Sequence, residues 1–155
     1  MKKIITLFSI VLLLVLTACD SSEIYSDHQT FSDILWHKTD TPQFTVDLKN
    51  EQHCQLKLDL RLIYGYTFRN IKMNVSMNNE TGKEKIIPID FKVRNEDDSY
   101  KGDMMGDFID IQEVVIKDTI LPAGKYTFIL EQMMDDKTLP FVNEVGLVLV
   151  DLDKK

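Results

Sequence analysis

The sequence predicts an all-β protein, an antiparallel β-sandwich of about seven or eight strands, preceded by an N-terminal leader and a short tether. Three observations carry this. After Pro42 apolar residues alternate with polar ones in run after run. Turn-forming residues separate most of those runs. No stretch has a long apolar stripe at helical period, which leaves sheet packed on sheet as the way to bury a core.

The leader comes first. Lys2 and Lys3 precede an apolar run from Ile4 to Leu16 that only Thr6 and Ser9 interrupt. Its thirteen residues are too few for a membrane-spanning helix, which needs about 20. The run ends in Leu16-Thr17-Ala18-Cys19, the lipobox pattern at which bacterial lipoproteins are cleaved before a cysteine whose sulfur carries diacylglycerol. Residues 1–18 are therefore expected to be a lipoprotein signal peptide, and Cys19 the lipidated first residue of the mature chain, holding it to a membrane at about 0.8 kcal/mol per buried methylene. Residues 19–42 are polar, with a few large apolar side chains at no sustained period, and read as a tether whose later part docks on the domain. Trp36, the one tryptophan, reads as packing there.

Residues 43–155 make the sandwich. Phe44, Val46 and Leu48 alternate with polar neighbours, then Cys54, Leu56, Leu58, Leu60 and Leu62 do so more regularly still. Leucine favours helices by propensity, but a helix would scatter these five round its circumference, whereas a strand gathers them on one side. Tyr64-Gly65-Tyr66 is a bend. Ile71, Met73, Val75 and Met77 form a third strand, closed by a turn at Asn78–Gly82. Ile87, Ile89, Phe91 and Val93 form a fourth, where Pro88 removes a backbone donor and predicts an edge or a bulge. An acidic turn at Asn95–Ser99 leads to a loop with Gly102 and Gly106. Phe108–Ile116 fits a strand and a helical turn equally. Leu121–Gly124 is a tight turn before the alternating Tyr126, Phe128 and Leu130, and after a connection from Met134 to Asn143 the apolar run Val145–Val150 closes the chain.

The charge excludes some partners. From Cys19 onward 16 lysines and arginines face 25 aspartates and glutamates, a net charge of −9. Nucleic acid is not expected as a partner. With Cys19 lipidated, Cys54 lacks a disulfide partner and reads as a buried small side chain. His28, His37 and His53 show no metal-ligand spacing, so no metal and no cofactor are expected. The carboxylates Glu96, Asp97, Asp98, Asp103, Asp107 and Asp110 are numerous enough for calcium but lack the EF-hand order. They read as a solvated turn. Asp97 with Asp107 would be the pair for a glycoside hydrolase. No Gly-x-Ser-x-Gly elbow is present, and the chain is read as non-enzymatic.

Several pieces occur in an order that resembles one family. They are Trp36-His37-Lys38; Leu58-x-Leu60-Arg61 followed by Tyr64 and Tyr66-x-Phe68-x-Asn70; Tyr100-Lys101-Gly102-x-x-x-Gly106-Asp107; and Gly124-Lys125-Tyr126-Thr127-Phe128 through Glu131-Gln132-x-Met134 to Val145-Gly146-Leu147. Together with the lipobox this succession is similar to the gliding motility lipoprotein family GldH of the Bacteroidota. The family pattern often has a basic residue after that methionine; here Asp135 follows. The resemblance implies a lipid-anchored, non-enzymatic envelope component of the gliding machinery, linked to type IX secretion, working through other envelope proteins from the cell membrane or outer membrane. Residue chemistry suggests Tyr100, Met104, Met105, Met133, Met134 and Phe141 as partner contacts, because methionines and aromatics make adaptable anchors. Asp118-Thr119-Ile120 matches a short pattern for O-glycosylation at Thr119 used by some Bacteroidota. The competing class is a glycan-binding sandwich with Trp36, Tyr64, Tyr66 and Tyr100 as its aromatic platform.

Overall fold

The computed structural model describes residues 22–154. Two antiparallel sheets pack on one core. In chain order the elements are β1 (Glu23–Thr30), a 3-10 turn (Ser32–Ile34), β2 (Leu35–His37), β3 (Gln43–Leu48), β4 (Gln52–Ile63), β5 (Asn70–Asn79), β6 (Glu84–Lys92), β7 (Asp103–Met105), β8 (Phe108–Leu121), β9 (Gly124–Gln132), β10 (Thr138–Pro140) and β11 (Val142–Asp151). The first sheet runs β1-β11-β4-β8-β7 and the second β3-β9-β5-β6, while β2 and β10 form a separate pair. Eight of these strands have six or more residues, the number the alternation predicts.

Alternation translates directly into the core. Cys54, Leu56, Leu58, Leu60 and Leu62 of β4 are all buried and face Phe44 and Val46 of β3, Ile71, Met73 and Val75 of β5, and Phe128 and Leu130 of β9 in one cluster. Burying a leucine contributes about 1.5–3 kcal/mol, so the four leucines of β4 are a large part of the core, matched by the five buried aliphatic side chains of β11. Burial also pushes the Cys54 thiol up to about 11, with Asp151 adding to the shift. A thiol so raised is a packing group, and a poor nucleophile. Pro88 sits on β6, the outer strand of the second sheet, where a missing N–H leaves no ladder bond unmade.

Three expectations need correction. The tether does not extend to residue 42, because Glu23–Thr30 pairs along its length with β11 as the outer strand of the first sheet. None of its residues is fully buried, so its sequence carries no alternation; pairing with β11 holds it, with Ile24 and Tyr25 packed against the edge of the core. Phe31 and Trp36 follow into the core, stacked with ring centroids 5.3 Å apart, and the Trp36 indole N–H donates to the Asp40 carbonyl at 2.9 Å. Residues 108–116 are strand, and the strand runs on to Leu121. Register shifts against β4 near Leu56 break the period that would have announced it. The connection after Met134 contains β10, and β11 starts at Val142.

Candidate functional site

The first sheet has an outer face on which two rows of side chains lie next to each other. Phe141 and Ile63 are joined by a backbone hydrogen bond of 2.9 Å, Ile63 is the register partner of Phe108, and Phe108 that of Met105. Ile34 adjoins through the Phe141 N–H, which donates to its carbonyl at 2.9 Å. Phe108 and Phe141 are about two-fifths exposed, and Met105 three-quarters. An apolar row thus crosses the whole first sheet at one end.

Two residues along the strands lies a polar row. Arg61 is bidentate on Asp110, with Nε to Oδ1 at 2.6 Å and Nη2 to Oδ2 at 3.0 Å, and its Nη1 is 3.8 Å from Glu144. The guanidinium also stands over the Phe108 ring, 5.7 Å from its centroid, which joins the two rows. Hydrogen bonding to Asp110 holds Arg61 above its ordinary range. One step further, His28 Nε2 lies 3.0 Å from Asp59 Oδ2, and Gln112 Nε2 donates to Asp59 Oδ1 at 2.8 Å. His28 reaches Asp59 across β11 because residue 146 is glycine: an added Cβ there would overlap the imidazole. These groups line an open groove of about 330 Å³ together with Asp103. Four carboxylates and one arginine give it acidic character.

The sequence-derived contact residues separate into two groups. Met104, Met105, Met133 and Phe141 are exposed. Met134 is packed against the core, its sulfur accepting from the Lys72 N–H at 3.3 Å. Tyr100 ties two loops together: its hydroxyl donates to the Tyr66 carbonyl at 3.0 Å and accepts from the Gly65 N–H at 3.1 Å, while Arg94 lies over its ring at 4.1 Å. Phe108, Ile63 and Ile34 were missed. For Ile63 and Phe108 the signal was present, as large apolar residues at the ends of apolar runs on the parity opposite to the core; Ile34, in a stretch without period, carried none.

Other candidates divide similarly. Of the aromatic platform, Trp36 and Tyr66 are fully buried and only Tyr64 is broadly exposed. The acidic stretch disperses: Asp98 pairs with Arg69 at 2.8 Å and Asp110 with Arg61, and among the described residues no group of three His, Cys, Asp or Glu is placed to hold a metal ion. Asp97 accepts from the Ser99 hydroxyl and amide, which hold its carboxyl below the usual range. A catalytic acid needs the opposite shift. Thr119 is half-buried in β8, opposite Cys54 in the register, beside a cleft at the other end of the sandwich. Cys19 and the signal peptide lie outside the described residues, and among those described no helix is long and apolar enough to cross a membrane.

The comparison that decides the family covers this whole body. The GldH lipoprotein family matches residues 23–149. The chain belongs to that family. A curated relative, named gliding motility lipoprotein GldH, from Flavobacterium johnsoniae, is 25% identical over 123 residues, spanning 77% of this chain and 74% of its own. Among solved structures, a carbohydrate-binding module specific for non-crystalline cellulose aligns with TM-score 0.40 and 13% identity over 79% of this chain and 71% of its own. A family 35 carbohydrate-binding module from Clostridium thermocellum gives 0.38 and 10% over 81% and 88%. A 4-O-methyl-alpha-glucuronidase gives 0.36 and 11% over 81% of this chain, which spans only 16% of that enzyme. Likenesses of this size bear neither on ligand nor on activity. The GldH match includes residues 23–42, in agreement with β1 as part of the sheet.

Proposed function

We propose that this GldH-family chain is a lipid-anchored, non-enzymatic envelope component of the gliding machinery, linked to type IX secretion, and that it acts by protein–protein contact. The family match over residues 23–149 carries the proposal. Cys19 supplies the anchor, in the inner or outer membrane, with the sandwich facing the periplasm or the cell surface. Glu23, the first residue of β1, is four residues from that cysteine, so the leash between lipid and body spans at most about 14 Å. The protein works by holding a neighbour close to the membrane.

Deletion of the gene in the producing strain tests this. Spreading on agar and secretion of type IX cargo are expected to fail and to return with the wild-type gene but not with Cys19→Ser, whose product leaves the membrane fraction. Normal spreading and secretion in the deletion strain would overturn the proposal.

A further inference from the structure

The apolar row and the acidic groove lie on one face, and their spacing specifies a binding partner more narrowly than protein contact alone. Resting on the function proposed above, we infer that this face docks a partner-protein segment carrying a large apolar side chain, with a lysine or arginine two to four residues away. The apolar residue covers Phe108 and Met105, and the cation enters the groove.

Exposure gives the first part. Phe108 and Met105 stand side by side at 41% and 76% exposure, with Phe141 at 42% in the same row. The backbone adds to it. Ile34 has φ 58° and Phe141 φ 66°, the left-handed region that glycine occupies freely and that strains a residue with a Cβ. Glycine would hold either bend at less strain; what Ile34 and Phe141 add is an apolar side chain at the surface.

Charge complementarity gives the second. On the loop that carries Met105, Asp103 and Asp107 have neither a hydrogen bond nor an ion pair from their side chains among the described residues. Arg61, the cation of the groove, is already engaged by Asp110 and Glu144. A cation arriving from outside therefore meets free carboxylates beside the apolar row. Residues 61 and 63, or 108 and 110, are two apart on one face, so groove and row are about 7 Å from each other, the distance between alternate side chains of an extended segment.

Other occupants fit less well. The row of Glu23 is that of Val150 and Gln55, eight residues of β4 from Ile63, or about 26 Å. The apolar row is thus at the end away from the leash. An anionic bilayer would be repelled by the acidic border, as would a second copy presenting the same border.

The test uses the full lipidated chain in detergent and synthetic extended peptides with one phenylalanine placed two or four residues from lysine, glutamine or glutamate. The lysine peptides are expected to bind, to weaken about tenfold with Phe108→Asp or Met105→Asp, and to weaken with Asp103→Lys and with added salt. Both apolar variants are expected to keep the wild-type thermal midpoint, and either one suffices if the other folds poorly. Equal binding of the three peptide sets, wild-type affinity in Met105→Asp, or binding of phosphatidylglycerol vesicles by the Cys19→Ser chain that Met105→Asp abolishes would overturn the inference. In cells, a Met105→Asp strain that spreads and secretes normally overturns this inference alone, whereas a deletion strain that does so overturns the proposed function.

Discussion

The two ends of the sandwich solve the same problem, finishing a set of strands, in different ways. At the end of Glu23, Gln52 and Gly124, polar groups are paired off: His53 lies between Asp153 and Asp118 at 2.9 and 3.1 Å, and the Asn79 side chain accepts from the Thr81 and Lys83 amides. Its left-handed positions are glycines, Gly82 and Gly124. At the end of Ile34, Ile63 and Phe108, left-handed backbone occurs also at Asp33, Ile34 and Phe141, and large apolar side chains reach the surface. The first end pairs its polar groups with one another and, among the described residues, exposes a single large apolar side chain of the first sheet, Ile120, at its cleft. The second is left open at a cost in strain, which is how a contact surface differs from a finished turn.

The largest effect is expected from removing the packing beneath the open end. Trp36→Ala takes away a fully buried ring stacked on Phe31, and a loss of about 3–5 kcal/mol is expected in denaturant titration. A loss under about 1 kcal/mol would mean that the open end is not built on this ring. Gly146→Ala displaces the His28 imidazole that lies across it. The expected destabilisation is about 1–3 kcal/mol, and a double-mutant cycle with His28→Ala should show that most of it depends on the ring.

Smaller changes sharpen the contrast. Phe141→Gly relieves left-handed strain worth about 1–2 kcal/mol, but loosens the unfolded chain by about 0.4–1 kcal/mol and gives up the covered part of the ring, roughly 1 kcal/mol. These nearly cancel, so the variant should stay within about 1 kcal/mol of wild type and bind lysine-containing peptides more weakly; a stability loss above about 2 kcal/mol would deny that strain is kept there for contact. The smallest effect concerns the closed end. Hydrogen bonds from Asp153 and then Asp118 raise the His53 pKa above its ordinary 6.5. The folded state thus favours the protonated ring. Its contribution is complete below that ordinary value and is lost as pH rises through the raised one. The thermal midpoint should fall over that window in the wild type and fall less in His53→Gln; parallel profiles would remove the charge from the account of this end.

The sandwich was legible in the sequence wherever one face of a strand is buried and the other wet. β3, β4, β5 and β9 announce themselves by period two, and Pro88 marks β6 as an outer strand. β1 was not legible, because Glu23–Thr30 buries no residue fully and depends on β11, more than a hundred residues later, for its hydrogen bonds. β8 was half legible, since its register shifts move side chains to the other face midway. The proposed contact face was read only in part. Met105 and Phe141 were visible as exposed apolar candidates, but Ile63 and Phe108 look like further core residues until the register places them opposite each other on the outer side. The surroundings of Tyr100 and Met134 were not legible, because what each touches within the chain is set by distant segments.

In-cell photocrosslinking from residue 108, with residue 86 as a control, shows whether the open end meets a partner. Ile86 is a comparably apolar and more exposed position on the second sheet. A crosslink to one partner protein from position 108, absent from position 86 and lost when Asp103→Lys is added, is the predicted result. Equal crosslinking from both positions, or from neither in cells that glide and secrete, would contradict it.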